Sequence, residues 1–183
     1  MSNLALLPHN DDELFCSYTL LRHHPHVVVC LKADVQKHRG TGITAEMREA
    51  ETQCSMNILG CTWGQMPVSE LLPDTDEIIQ HLAERDYVHA PERVWTPAVE
   101  EGGHEHHNLI GQIALDVFGD RVIPYMTYRR GFGRSRGKTV VIPTPGERSL
   151  KREALNCYES QIKLENTRFW FSEESEWDKE YLA

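Results

Sequence analysis

The stretch LALLPHNDDELF, residues 4–15, joins an apolar run directly to a histidine, an asparagine and three acids. The apolar run predicts a short buried strand, and the acids followed by apolar residues predict the first turn of a helix. Strand, turn and helix in this order form the opening unit of an α/β domain. The acids can cap the helix and oppose its dipole, or they can bind a metal ion. The rest of the chain has to distinguish these two roles.

The same strand-to-helix unit recurs along the chain. HVVVCLKA at 26–33 is almost continuously apolar, which is typical of a parallel strand buried on both faces. Helices are predicted over 12–22, from the candidate N-cap Thr44 to Gly60, and over 74–86. This alternation predicts an α/β fold with a mostly parallel sheet. Further strands are predicted in CTWGQMPV (61–68), ERVWTP (92–97), DRVIPYMTY (120–128) and TVVIP (139–143), the last at a sheet edge, and further helices over 104–119 and 147–166.

The composition is that of a globular protein with one core. The 183 residues are 40% hydrophobic and 26% charged, and we expect a single domain over 1–183 because no linker divides them. A net charge of -9 argues against general binding to nucleic acid or to anionic membranes. No window approaches a membrane span, and the start of the sequence lacks the pattern of a signal peptide, so we expect a cytoplasmic protein. The oligomeric state is not indicated.

The cysteines indicate what kind of metal site the chain can build. Their odd number and the absence of any CxxC spacing predict neither a disulfide framework nor a thiolate zinc site, so we interpret most of them as small core residues. A metal site would instead use carboxylates and some of the ten histidines. The five cysteines are Cys16, Cys30, Cys54, Cys61 and Cys157.

Two loops contain the polar residues from which such a site can be built. One contains His9 to Glu13, and the other is GGHEHHN at 102–108. Each follows a predicted strand and opens a predicted helix. Ligands of parallel sheets bind beyond the carboxyl ends of the strands, so both loops are expected on the same rim.

A catalytic zinc ion needs three nitrogen or oxygen ligands and an open position for water. His9, Asp12 and one histidine of the second loop would supply these ligands. Asp11 would then lie beside the metal as a general base for the activated water. A remaining histidine could stabilise a developing oxyanion or protonate a leaving amine. A capped helix and a solvated polar loop remain the alternatives to a metal site.

Four segments resemble motifs of the PIG-L/LmbE family of zinc-dependent N-deacetylases. PHNDDE (8–13) resembles the motif PHPDDE, and TPAVEEGGHEHHN (96–108) resembles a second motif, a glycine-preceded HPDH. MREAETQCSMNILGCT (47–62) is similar to the family's RxxE helix that ends in LG, and KREALNCYESQ (151–161) is similar to a late helix with AL and SQ. The resemblance covers most of the chain and implies a Rossmann-like three-layer sandwich.

The resemblance also implies roles for individual residues. It makes His9, Asp12 and His107 the ligands of one zinc ion per chain, or of another divalent ion in the cell. Asp11 becomes the general base. His104 becomes the residue that stabilises the oxyanion or assists departure of the amine.

The match also places a substrate residue and shows three departures from the motifs. Arg48 lies where the family has a substrate-contacting arginine, which can hold hydroxyls or a phosphate. Asn10 replaces the proline of the first motif, and we expect it to keep the turn through its own side-chain hydrogen bonds. Glu105 and His106 replace proline and aspartate, so the acidic partner of a neighbouring imidazole is absent unless Glu105 serves. Whether His106 replaces His104 or His107 in the site stays open.

The predicted function is a zinc-dependent hydrolase that removes an N-acyl group, with acetyl as the expected group, from a small-molecule amino sugar or glycoconjugate. One alternative is a metal-dependent phosphoester hydrolase, because the basic segment YRRGFGRSRGK (128–138) could hold a phosphate or a polynucleotide. The other alternative is a non-catalytic carbohydrate-binding module on the same fold. The sequence does not name the sugar.

Overall fold

The computed structural model describes residues 3–33, 41–129, 133–164 and 178–183. It contains a seven-stranded sheet in the order β3-β2-β1-β4-β5-β9-β8 and a separate β6-β7 hairpin. The strands are β1 (Asn3–Leu7), β2 (His26–Val29), β3 (Trp63–Gln65), β4 (Arg93–Pro97), β5 (Val122–Tyr125), β6 (Tyr128–Arg129), β7 (Gly133–Arg134), β8 (Thr139–Val141) and β9 (Glu180–Leu182). The helices are α1 (Ser17–His23), α2 (Ala45–Leu59), α3 (Thr75–His89), α4 (Glu105–Phe118), α5 (Pro145–Leu155) and α6 (Glu159–Ile162).

The sheet is mostly parallel. Neighbours among β3, β2, β1, β4 and β5 all pair in parallel, whereas β9 pairs antiparallel with both β5 and β8. The chain moves from β1 to β2 and β3 on one side, and then crosses to β4 and β5 on the other. The order therefore reverses between β1 and β4, which is where open parallel sheets bind their ligands.

Two apolar cores cover the two faces of the sheet. Alternate residues of β1 point to opposite faces, so Ala5 and Leu7 belong to one core and Leu4 and Leu6 to the other. The first core includes residues of α1, α2 and α5, and the second includes residues of α3 and α4. Helices thus lie on both sides of the sheet, which confirms the predicted three-layer α/β sandwich.

Local sequence signals explain the ends and the packing of two helices. The Thr44 hydroxyl accepts a hydrogen bond from the Met47 N–H at 3.2 Å, and Gly60 ends α2 with a φ of 69°, as predicted. At Gly111 a Cβ atom would lie 2.4 Å from the Pro97 carbonyl oxygen. Glycine at this position therefore lets α4 lie directly against the end of β4.

Two predicted helices are divided in the structure. The predicted helix over 12–22 begins with a 3-10 turn at Asp12–Phe15 and resumes as α1 after Cys16. The predicted helix over 147–166 is divided into α5 and α6, with Tyr158 preceding α6. Helical periodicity in the sequence does not resolve such short breaks.

The acidic tail contains a strand that the sequence pattern did not predict. Its β9 inserts between β5 and β8, and Glu180 of β9 is buried. The Glu180 carboxylate pairs with Lys151 at 2.8 Å and accepts a hydrogen bond from the Tyr18 N–H at 2.8 Å. A three-residue strand that begins with an acid has no alternating pattern to reveal it. Residues 165–177 of the tail lie outside the described part.

The cysteine spacing predicts no disulfide framework, whereas the structure pairs two of the cysteines. Cys54 and Cys157 form a disulfide that links α2 to the turn after α5. Their separation of 103 residues gives no local spacing signal, so only the fold brings them together. Cys16, Cys30 and Cys61 are buried, as expected of core residues. Within the described ranges, no helix is both long enough and apolar enough to cross a bilayer.

Candidate metal centre and active site

The candidate site lies at the carboxyl ends of the neighbouring strands β1 and β4. The first loop, residues 8–13, follows β1 and includes the start of a 3-10 turn, and the second loop, residues 98–108, follows β4 and includes the first turn of α4. The two loops meet directly, because His9 Nε2 lies 2.8 Å from His106 Nδ1. The structure therefore brings both polar loops to one rim.

His9, Asp12 and His107 form what we call the inner group. Asp12 Oδ2 lies 3.1 Å from His9 Nδ1, and Asp12 Oδ1 lies 3.2 Å from His107 Nε2. Ligand atoms from the three residues lie within 4.8 Å of one another. Two imidazoles and one carboxylate are donors that suit a catalytic zinc ion or a similar divalent ion. The residues present thus fit a metal ion.

Protonation states within the inner group also favour metal binding. Burial raises the pKa of Asp12, but His107 and His9 together lower this pKa well below its usual value, so Asp12 is ionised. His107 is 1% exposed, and its Nδ1 lies 3.0 Å from the Thr127 hydroxyl. Either ring nitrogen of His107 can therefore carry the proton, with Nε2–H donating to Asp12 or Nδ1–H donating to Thr127, and binding of a metal ion through Nε2 would leave the proton on Nδ1.

Asp11 lies beside the inner group and forms an ion pair with Arg48. The distance from Arg48 Nη2 to Asp11 Oδ2 is 3.1 Å. Asp11 has a φ of 136°, a strained conformation for a residue other than glycine, and its side chain makes no capping hydrogen bond. The first acid of the pair is therefore not a helix cap. Burial raises the pKa of Asp11 while Arg48 lowers it, and the net change is upward.

Arg48 lies beneath the first loop. Its side chain is 5% exposed, and it donates hydrogen bonds to the Asn10 carbonyl and to Glu51. These contacts hold Asp11 and its loop in place. That Arg48 also contacts substrate stays a prediction. Asn10 differs from expectation, because its side chain donates to Thr52 Oγ1 at 2.8 Å rather than closing its own turn. Asn10 thereby attaches the first loop to α2.

The second loop is closed at its base by Asn108. The Asn108 side chain accepts from the Glu100 N–H at 2.9 Å and donates to the Glu100 carbonyl at 2.7 Å. Gly102 within this loop has a φ of 74°, which favours glycine. The loop therefore presents its histidines from a fixed base.

His104 is the N-cap of α4, and its Nδ1 accepts a hydrogen bond from the His106 N–H at 3.2 Å. Burial and the neighbouring imidazoles of His107 and His9 lower the pKa of His104 to about 3. His104 is thus neutral at physiological pH, and its proton lies on Nε2 because Nδ1 is the acceptor. A neutral imidazole with an Nε2–H can donate a hydrogen bond to substrate.

Residues after β5 complete the rim, and the sequence interpretation missed two of them, Thr127 and Tyr128. The Tyr128 ring lies 5.3 Å from the His107 ring and 6.0 Å from the His104 ring, centroid to centroid. Because β5 is parallel to β4, residues just beyond its carboxyl end could have been expected here. Gly103 forms a β-bridge with Arg129, so the start of the basic segment reaches the second loop. Residues 130–132 lie outside the described part.

Structural comparisons find the same fold in proteins with different activities. A triple mutant of a deacetylase of the teicoplanin biosynthetic pathway matches with a TM-score of 0.73 and 17% identity over 97% of this chain and 88% of that chain. A zinc-inhibited form of teicoplanin deacetylase Orf2 matches with a TM-score of 0.69 and 16% identity over 97% and 90%. GalB, a 4-carboxy-2-hydroxymuconate hydratase of Pseudomonas putida, matches with a TM-score of 0.66 and 15% identity over 93% and 82%.

Sequence comparison identifies the family. No curated protein sequence matches the chain significantly. The profile of the family described as "PIG-L: GlcNAc-PI de-N-acetylase" matches residues 4–118, a range that includes both loops and Arg48. This range is more than half of the chain, which therefore belongs to the PIG-L family of de-N-acetylases.

Proposed function

We propose that this protein is a zinc-dependent hydrolase that removes an acetyl group from the nitrogen of an amino sugar or glycoconjugate. The observation that carries the proposal is the inner group with Asp11 beside it. His9, Asp12 and His107 offer three ligand atoms within 4.8 Å of one another, and burial raises the pKa of the adjacent Asp11. The family description supports an N-acetylated amino sugar as substrate class.

His9, Asp12 and His107 would hold the metal ion. The ion would supply Lewis acidity, which polarises the amide carbonyl and lowers the pKa of water to about 7 in well-studied zinc enzymes. Asp11 takes a proton from the water as the water oxygen bonds to the carbonyl carbon. The Nε2–H of His104 donates a hydrogen bond to the carbonyl oxygen as negative charge develops there. The C–N bond then breaks as the proton moves from Asp11 to the leaving nitrogen, so that acetate and an amine are released.

A second candidate is a metal-dependent phosphoester hydrolase. The observation in its favour is the position of the basic segment, whose Tyr128 contacts His104 and His107 and whose Arg129 pairs in a β-bridge with Gly103. A screen with aryl phosphodiesters and phosphomonoesters distinguishes the two reactions. Release of the aryl alcohol without acetate release from N-acetylated sugars would favour the second candidate.

The first experiment measures metal content and acetate release on untagged protein. Wild type is expected to contain about one zinc ion per chain and to release acetate from some members of a panel of N-acetylated amino sugars. His107→Ala is expected to lose both metal and activity. Asp11→Ala is expected to keep the metal and to lose about 10²–10⁴-fold in turnover, the usual contribution of a general base.

Two outcomes would contradict the proposal. Equal turnover of wild type and Asp11→Ala would remove the general base. No bound metal after zinc is supplied and excess removed, together with tight sugar binding, would instead favour a carbohydrate-binding module. The exposed acid Asp116 on α4 provides a control, because Asp116→Ala removes a carboxylate away from both loops.

A further inference from the structure

A second cluster of potential metal ligands lies on the solvent side of the inner group. Ligand atoms of His9, His104 and His106 lie within 4.8 Å of one another, and all three residues are half-buried. We infer that these three imidazoles, which we call the outer group, form a second position for a divalent cation. A site made only of imidazole nitrogens suits Zn²⁺, Ni²⁺ and Cu²⁺ rather than Mg²⁺ or Ca²⁺.

His9 belongs to both groups, and its two ring nitrogens face different partners. Nδ1 lies 3.1 Å from Asp12 Oδ2, whereas Nε2 lies 2.8 Å from His106 Nδ1. A neutral imidazole has a lone pair on only one of its two nitrogens. His9 can therefore bind an ion in each group at the same time only as a bridging imidazolate that has lost both ring protons; otherwise the inner ion keeps His9, and His104 and His106 alone hold the outer ion.

Burial and hydrogen bonding order the two positions by affinity. Asp12 and His107 of the inner group are 4% and 1% exposed, and the inner group includes a carboxylate, whereas the outer group has imidazoles alone. In the outer group, His104 uses Nδ1 to cap α4, and binding a cation through Nε2 would move the proton to Nδ1 and break this cap. The outer group is therefore the weaker position and fills only when the cation is in excess.

His106 makes the outer group specific to sequences that have histidine at this position. The HPDH motif has an aspartate there, whereas this chain has His106. An occupied outer group would hold His104, which the proposed function uses as a hydrogen-bond donor. The expected consequence is inhibition of deacetylation by excess zinc. This consequence rests on the proposed function, but cation binding by the outer group does not.

The experiment compares identical substitutions at two adjacent histidines. His106→Gln removes a ligand of the outer group alone, His107→Gln removes a ligand of the inner group alone, and the double variant removes both. His81→Gln serves as control, because the His81 side chain is partly exposed on α3 and pairs only weakly with Glu77, at 3.7 Å. Zn²⁺ binding is measured by competition with a chromophoric chelator, and Co²⁺ absorption spectra report the ligands around the bound ion.

The inference predicts a distinct result for each variant. His107→Gln should still bind Zn²⁺ at millimolar excess and give a Co²⁺ spectrum different from that of wild type. The double variant should bind more weakly than His107→Gln by at least the roughly 10–100-fold that loss of a ligand's hydrogen-bond partner costs. His106→Gln and His81→Gln should keep the first, tight Zn²⁺ equivalent, and only His106→Gln should lose the second, weaker one.

Other results would overturn the inference. Equal Zn²⁺ affinity of His107→Gln and the double variant would show that the outer group binds no cation. Loss of the tight equivalent in His106→Gln, with its retention in His107→Gln, would make His106 an inner ligand instead. Failure of wild type to release acetate from any N-acetylated sugar, with both of its Zn²⁺ binding steps intact, would contradict the proposed function alone.

Discussion

The two loops of the candidate site are fixed in different ways. The first loop is held from below by buried side chains: Asn10 bonds with Thr52 of α2, and Arg48 bonds with the Asn10 carbonyl and with Asp11. The second loop is closed at its base by Asn108, while its exposed side presents histidines that bond with one another and with His9. The first loop is therefore held by contacts with buried side chains, and the second loop is held by hydrogen bonds at its base.

This difference assigns different tasks to the two loops. Residues embedded in the core keep their geometry whether or not a ligand is bound, which suits a metal ligand and a general base. Histidines at a rim can change tautomer and hydrogen-bond partner at a small cost in free energy. We therefore expect substitutions below the first loop to reduce stability and turnover together. Apart from those at the buried His107, substitutions in the second loop should mainly change which cation or substrate is bound.

The largest effect is expected when the support of the first loop is removed. Arg48→Met leaves the carboxylates of Asp11 and Glu51 without their buried cation, and removing one partner of a buried ion pair costs about 3–5 kcal/mol. Urea unfolding measures this loss of unfolding free energy. Because Asp11 is partly exposed, we expect the lower end of the range.

The same variant separates two roles of Arg48 by its pH profile. Arg48 lowers the pKa of Asp11, so its removal should move the acid limb of the turnover profile to higher pH. Arg48→Lys is the matched control, because it keeps a positive charge. A raised KM with an unchanged acid limb would instead support the substrate-contacting role.

The next largest effect is expected when the disulfide is removed. The disulfide is attached to α2, the helix that supports the first loop. Cys54 lies on α2, the helix of Arg48, and its bond to Cys157 joins residues 103 positions apart. Cys54→Ser should lower the unfolding free energy by about 2–4 kcal/mol under oxidising conditions. Wild type measured with a reducing agent is the control and should match the variant. Equal stability of oxidised wild type and variant would show that the bond does not form.

A smaller effect is expected in the second loop. Asn108→Ala removes two hydrogen bonds to the backbone of Glu100, and loss of such a partner costs about 1–3 kcal/mol. Metal content should stay near that of wild type, because His107 is held separately by Thr127. Gln112→Ala on the same helix is the control, since its bond to exposed Asp116 contributes below about 0.5 kcal/mol. Loss of the metal ion from the inner group in Asn108→Ala would show instead that metal binding depends on the Asn108 hydrogen bonds.

The smallest effect is expected far from both loops, at the Arg22–Glu147 ion pair. A hydrogen bond from Arg22 lowers the pKa of Glu147 to about 2, whereas the pKa of a glutamate in an unfolded chain is about 4.3. The pair therefore stabilises the fold above about pH 4.3, and this contribution is lost as the pH falls towards 2. Glu147→Gln should cost less than about 1 kcal/mol at pH 7 and only a small part of that at pH 2. Unfolding curves at both pH values measure this, and equal losses at both would contradict the lowered pKa.

Much of the fold and the position of the site follow from local sequence. Continuous apolar runs such as 26–33 are long enough to identify buried parallel strands, and Thr44 and Gly60 mark the ends of α2 correctly. The meeting of the two loops follows from the rule that parallel strands end at the same rim. The sequence alone was therefore sufficient to predict that His9 and a histidine of the second loop lie close together.

Other features depend on contacts between distant segments and leave no local pattern. The positive φ of Asp11, the burial of Arg48 and the pairing of Cys54 with Cys157 each require partners from another element. Thr127 was missed because a single hydroxyl after a strand has no distinguishing neighbours. The sequence also left open whether His106 replaces His104 or His107 in the site; in the structure His107 lies next to Asp12, whereas His106 lies next to His9.

The position of β9 also has a consequence for how the chain folds during synthesis. Glu180 accepts a hydrogen bond from the Tyr18 N–H in the first turn of α1, a contact between residues 162 positions apart, and β9 joins β8 to the sheet. A ribosome releases residue 180 only after the preceding elements have emerged. We therefore expect the parallel strands of the sheet to assemble early. The hydrogen bond from α1 to Glu180 and the pairing of β8 with β9 can form only after translation has passed residue 182.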